Sequence, residues 1–121
     1  MTQQTKTKTK NETKPKEGYL FRKKVIGWKK NYFCLNGAEL TFYESRENKK
    51  LLGTLDISEA HMLQETDEKN SKHSFILTLH LPGGKRFKLS TDTQFNRDLW
   101  MKNIENNQEQ VNDENENENE N

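Results

Sequence analysis

The chain has 121 residues but a single cysteine, Cys34, only three histidines, and no apolar run longer than four residues. One thiol cannot form an intramolecular disulfide, and with no Cys-x-x-Cys spacing there is no zinc framework. A bilayer span needs roughly 18 or more apolar residues, and residues 1–16 lack the apolar stretch of a signal peptide. The expectation is a cytoplasmic, unprocessed protein whose stability comes from packing, with no metal and no cofactor.

What is there is charge. The chain carries 20 Lys+Arg against 19 Asp+Glu and 29% hydrophobic residues. These figures average three unlike segments. Residues 1–16 hold five lysines and one acid; residues 105–121 hold seven acids and no base; the centre holds 15 bases and 11 acids. The segment charges are therefore +4, −7 and +4, and the net +1 describes none of them. Neither end has enough apolar surface to offset the entropy of ordering it. The expected organisation is a disordered Lys/Thr-rich leader over 1–15, one domain over 16–105, and a disordered acidic Asn/Glu tail over 106–121.

Within the centre, apolar residues recur mostly at spacing two, the signature of strands. Leu20 and Arg22 share one face of a first strand, and Lys29, Asn31, Phe33 and Leu35 share one face of a second. Asn36-Gly37 follows, and it suits a type I′ turn that would join strands at 29–35 and 39–44. A fourth strand is predicted over 52–57 and a weaker fifth over 61–64. Phe75, Leu77, Leu79 and Leu81 mark one side of a sixth, and Pro82-Gly83-Gly84 turns it into a seventh containing Phe87 and Leu89. After Ser90 the pattern changes. Thr91 or Asp92 can cap a helix whose apolar stripe is read as Phe95, Leu99, Trp100 and Ile104.

Seven short antiparallel strands and one C-terminal amphipathic helix are an economical way to build a mainly β, partly open barrel, with Trp100 plugging one end. The blocks Gly18-Tyr19-Leu20-Phe21-Arg22-Lys23, Trp28-Lys29-Lys30-Asn31-Tyr32-Phe33-Cys34-Leu35, Leu40-Thr41-Phe42-Tyr43 and Gly53-Thr54-Leu55-Asp56, with Trp100, occur in the order and spacing of a known family. Over about residues 16–105 the chain resembles a pleckstrin homology (PH) domain, and the resemblance implies that the barrel is made of two near-orthogonal sheets.

Arg22, Lys23, Lys24, Lys29 and Lys30 place five bases within nine residues and no acid among them. Lysines at strand ends also serve as edge protection. Parity separates the two readings, because Arg22 and Lys29 fall on the inward side of neighbouring strands and must converge at the barrel mouth. Converging cations repel, and a polyanion relieves that repulsion through charge-assisted hydrogen bonds. Between these bases lie Val25 and Ile26, which either enter a headgroup region or fold back on the domain's own surface.

The resemblance implies a non-enzymatic module that binds phosphoinositide or other anionic lipid and is recruited peripherally to membranes. Lipid-binding members carry a base on the first strand and Lys/Arg-x-Arg on the second. Arg22 and Lys29 match the first two positions, and Asn31 stands where the arginine is expected. A tyrosine on strand three and a base after the next loop, found in members selective for 3-phosphorylated lipids, correspond to Phe42 and Leu52, with Lys49 and Lys50 nearby. The departures imply modest headgroup specificity. Lys85 and Arg86 either extend the rim or are exposed hairpin charge. The alternative is a protein interaction adaptor that uses the same scaffold without specific lipid binding. A monomer is expected in either case.

Other features carry less. Cys34 has no histidine partner in sequence and alternates with core residues, which favours a structural role. His61, His73 and His80 lie on different elements. Tyr32 and Tyr43 could stack bases, but they fit a barrel wall equally well, and the acidic tail weighs against a nucleic-acid partner. That tail could also fold back on the basic mouth as a weak pseudo-ligand.

Overall fold

The computed structural model describes residues 17–70 and 72–120, with side chains described as far as Gln108. The leader expected over 1–15 lies outside the described residues. Seven strands precede one helix: β1 (Glu17–Lys23), β2 (Trp28–Asn36), β3 (Glu39–Tyr43), β4 (Leu51–Asp56), β5 (His61–Thr66), β6 (Phe75–His80), β7 (Arg86–Thr91) and α1 (Gln94–Glu120).

The strands form one continuous antiparallel sheet in the order β4-β3-β2-β1-β7-β6-β5. β1 pairs with β2 along its whole length, from Glu17↔Cys34 to Lys23↔Trp28, but with β7 only at Phe21↔Ser90 and Arg22↔Leu89. That short junction divides the sheet into a four-stranded and a three-stranded part, while β4 and β5 remain its two edges. Side chains of both parts meet in one core that includes Leu20, Phe33, Leu40, Leu77, Leu79 and Leu89. Alternation produces this, because residues two apart on a strand share a face.

The β2–β3 turn differs from the sequence expectation. Asn36 pairs with Glu39, so the central residues are Gly37 and Ala38, and of these Gly37 alone takes a positive φ, 61°. A turn with glycine first matches type II′ rather than type I′. Strand β6 also departs from a simple two-faced reading. Leu77 and Leu79 face the core as predicted, yet Ile76 and Thr78 are buried as well. Ile76 pairs with Ser90, and His73 from the β5–β6 loop folds back onto Ser90 on that outer side.

Helix α1 begins where Thr93 caps it, its Oγ1 accepting the Asn96 N–H at 3.1 Å. Trp100 and Ile104 are buried as the sequence predicts, and the Trp100 ring lies over Gly18 of β1. Phe95 is a correction: it is 71% exposed. At about 100° per residue, position 95 lies roughly half a turn around the helix from position 104, so one stripe cannot hold both. The inward position of the first turn goes instead to Arg97, 2% exposed, whose Nη1 donates to the Glu65 carbonyl at 2.7 Å. The helix continues to Glu120, past the end expected near Ile104. No glycine or proline follows Gly84 to stop it. At Gln108 its amide donates to the Ile57 and Ala60 carbonyls, fastening it to the β4–β5 connection.

Candidate functional site

The mouth of the barrel is built from the ends of β1 and β2. Their register sets Arg22 opposite Lys29 and Leu20 opposite Asn31, which puts both bases and Asn31 on the inward face. Arg22 is half-buried. Its Nε donates to Asn31 Oδ1 at 3.0 Å, and its guanidinium carbon lies 4.8 Å from the centroid of the Phe42 ring. Phe42 in turn stacks on Phe33 at 5.1 Å and leans against Phe87 at 5.6 Å. The arginine therefore rests on an aromatic floor, with one edge held by an amide.

Asn31 is fully buried. Its Oδ1 is used by Arg22, while its Nδ2 has no hydrogen-bond partner among the described residues. Buried polar groups are nearly always paired, so an unused donor at this depth is unusual.

The β1–β2 connection is a tight turn. Lys24 N–H donates to the Gly27 carbonyl at 2.9 Å, and Gly27 takes φ 79°, a conformation that favours glycine. The turn lifts Val25 and Ile26 off the body, 99% and 89% exposed. They do not fold back on the domain's surface.

The remaining predicted bases divide by strand parity. Lys23, one position from Arg22, points to the outer side. Its Nζ donates to the Lys24 carbonyl and lies 5.9 Å from the Trp28 ring. Trp28 stacks on His73 at 4.8 Å, and Phe21 meets the same imidazole edge-on at 4.7 Å. Burial, with a smaller contribution from Lys72, pushes His73 below its ordinary pKa. Lys30 also faces outward, with Nζ 4.9 Å from the Tyr19 ring. The Tyr19 hydroxyl accepts the Arg46 N–H at 2.9 Å.

Arg46 and Lys49 share a depression of about 250 Å³ on this outer face with Glu17, Tyr32, Cys34 and Tyr43. Burial and then the neighbouring Glu17 raise the pKa of both Tyr32 and Cys34. The thiol is thus held in its unreactive form. Lys24 and Lys50 are exposed, and the Lys50 carbonyl accepts the Glu44 N–H. Lys85 lines a separate depression with Thr54, Asp56, Ser58 and Glu59, while Arg86 is exposed at the start of β7.

The structure thus brings Arg22, Lys29 and Asn31 together, sets Val25 and Ile26 beside them, and sends Lys23, Lys30 and Lys49 to the outer face. Reading the sequence alone missed the Arg22–Asn31 bond and the Phe42 floor. The parity that placed Arg22 and Lys29 inward carried the opposite message for Lys23 and Lys30. Among the described residues no group of three or more His, Cys, Asp or Glu side chains is arranged to hold a metal, and no helix is long and apolar enough to cross a membrane.

Solved structures share this architecture. The PH domain of human pleckstrin homology domain-containing protein family A member 5 is 23% identical with a TM-score of 0.62, covering 76% of this chain and 74% of that one. The carboxyl-terminal PH domain of pleckstrin is similar in two structures. One is a complex with D-myo-Ins(1,2,3,4,5)P5, at 21% identity and TM-score 0.59, covering 74% of this chain and 93% of that one. The other is 20% identical with a TM-score of 0.65, covering 78% and 96%. The PH domain family matches residues 14–109. Strand order, terminal helix and this match over most of the sequence agree: the chain belongs to the PH domain family.

Proposed function

We propose that the chain is a non-catalytic module that binds phosphoinositide or other anionic lipid headgroups at the barrel mouth and so docks peripherally on membranes. The observation that carries this reading is the β1–β2 tip. Two aliphatic side chains stand 99% and 89% exposed on a closed turn, flanked by Lys23 and Lys24 on one side and Lys29 and Lys30 on the other. Fully exposed aliphatics ringed by cations suit an interface whose surface is anionic and whose interior is apolar. Approach is steered by the bases, Arg22 and Lys29 meet the headgroup, and Val25 and Ile26 enter the bilayer shallowly. The inositol phosphate complex of a pleckstrin PH domain shows that this fold accommodates such a ligand in that protein.

A protein-binding use of the scaffold draws support from a different observation. Leu51 and Leu63, on the two edge strands β4 and β5, are 56% and 51% exposed. Unpaired strand edges with apolar side chains can accept an added strand.

Vesicle sedimentation separates the two. The lipid reading expects binding to phosphoinositide vesicles at low salt, at roughly 1 kcal/mol per basic residue near the surface. It also expects loss of that binding in an R22E/K29E double variant. No sedimentation with phosphoinositide vesicles at low salt overturns it.

A further inference from the structure

We infer that the free edge of β5 is a self-association surface, on which a second copy of this chain adds its own β5, antiparallel and centred on Leu63. This goes beyond the lipid-binding reading above and is independent of it. A two-fold dimer takes the place of the monomer expected from the sequence.

β5 is an end strand of the sheet, and it carries none of the devices that usually keep strand edges apart. It holds no lysine and no proline, and its register with β6 runs from His61↔His80 to Thr66↔Phe75 without a bulge. Its one acid, Glu65, is matched by Lys88 at 3.6 Å. The hairpin determines which backbone groups are free. Asp67 N–H donates to the Ser74 carbonyl at 2.8 Å, and in this register Glu65, Leu63 and His61 also exchange their bonds with β6. Met62 and Gln64 therefore turn their N–H and carbonyl groups to the open side. Helix α1 bounds the open stretch at both ends. Gln108 holds the Ala60 carbonyl at 3.0 Å, while Arg97 donates to the Glu65 carbonyl at 2.7 Å and reaches Thr66 Oγ1 at 3.4 Å. What remains for a partner strand is His61 to Glu65.

That stretch is complementary to itself read backwards. His61, Leu63 and Glu65 share the outer face with His80, Thr78 and Ile76 opposite them. An antiparallel copy with Leu63 facing Leu63 sets His61 of each chain against Glu65 of the other. An imidazole N–H donor then meets a carboxylate at each end of an apolar centre. Leu63, 51% exposed in the single chain, is covered by its counterpart. The central pair is of the non-hydrogen-bonded kind, in which side chains come closest, and on either side of it Met62 and Gln64 of opposite copies exchange both backbone hydrogen bonds. The other edge strand lacks this property. β4 contains no base to face Asp56, and its register is broken by a bulge at Phe42 and Tyr43 of β3.

The contact is short, so association is weak and is measured by sedimentation equilibrium of the full chain from about 10 μM to about 1 mM. A monomer–dimer equilibrium is expected. L63K opposes two ammonium groups on the axis and is expected to weaken association about tenfold or more. H61E and E65K should each weaken it as well, the first by opposing two carboxylates and the second by opposing an ammonium to His61. Mixed in equal amounts, H61E and E65K should associate with each other. One half of the contact then pairs a carboxylate with an ammonium, and the other keeps the native His61–Glu65 pair. A variant that had merely lost its fold could not be rescued in this way. In a C34S background, L63C is expected to form an intermolecular disulfide on mild oxidation, since facing α carbons of such a pair stand about 4.5 Å apart. Q64C, whose opposite residue is Met62, is not.

A monomer throughout that concentration range, an L63K variant that associates as the wild type does, or no rescue in the mixture overturns the inference. So does a series of growing oligomers, which would mean that β5 adds to β4 of the next copy in an open chain. None of these outcomes touches the lipid reading, which vesicle sedimentation of L63K tests separately.

Discussion

The ring of Phe42 lies against the backbone of Gly53, so close that a β carbon at position 53 would stand 2.5 Å from the ring. Gly53 has no positive φ. Its role is to leave room for Phe42, whose ring also lies under the guanidinium of Arg22 at 4.8 Å. The aromatic floor of the mouth thus depends on an absent side chain one strand away.

Replacing Gly53 by alanine should therefore act in two places. Displacing a packed ring is expected to cost about 1–3 kcal/mol, as overpacking of cores does. It should also weaken anionic-vesicle binding by releasing Arg22 from its support. Urea denaturation measures the first effect and sedimentation the second. Wild-type values in both would show that Phe42 moves aside freely.

The helix offers a paired test of the corrected stripe. Trp100 is 4% exposed and Phe95 is 71% exposed, although both are aromatics of the same helix. W100A is expected to lose about 3–5 kcal/mol, the range for emptying an aromatic from a core. F95A should change stability by no more than about 0.5 kcal/mol. Equilibrium unfolding of the two variants under one set of conditions gives the comparison.

At the β1–β2 tip, V25S/I26S removes apolar surface that the folded protein does not use. Its melting temperature should match the wild type. Its affinity for anionic vesicles should fall about tenfold, and the loss should persist at high salt, because buried apolar area is not screened. A loss that vanishes at high salt would point to disturbed lysines rather than lost insertion.

His73 makes stability depend on pH. Its folded pKa lies below the ordinary value of about 6.5, first through burial and then through Lys72. A base whose pKa is depressed on folding stays neutral in the fold and takes up a proton more readily once unfolded. Its contribution is fully present above about pH 6.5 and is lost as the pH falls through the folded value. The physical consequence is a weaker clamp between the β5–β6 loop and the Trp28 and Phe21 rings. Urea denaturation near pH 7.5 and near pH 5.5 should show acid destabilisation that is smaller in H73Q. The H73Q comparison removes the contribution of every other titrating group.

Much of the fold was legible because strands and helices are written in local periods. Spacing of two located all seven strands, and the helix position followed from the change of period after Ser90. Errors arose where a second contact set the outcome. The β2–β3 turn moved by one residue because the Asn36↔Glu39 pairing fixed the register. Arg97 was not read as buried because its carbonyl partner, Glu65, lies 32 residues away. The bases at the mouth were only partly legible. Parity located Arg22 and Lys29, but their neighbours Lys23 and Lys30 were grouped with them by proximity in sequence, which on a strand puts side chains on opposite faces.

The sequence by itself determined that a single small β domain lies between a basic and an acidic end, and that two bases face inward on adjacent strands. Charge segregation and alternation are local properties, readable without knowing which strand meets which. Only the tertiary structure decided that Asn31 would bind Arg22, that Phe42 would lie beneath it in the space left by Gly53, and that Val25 and Ile26 would stand clear of the body. Each of these is a relation between segments brought together by cross-strand register and packing, and such relations have no signature along a single stretch of chain.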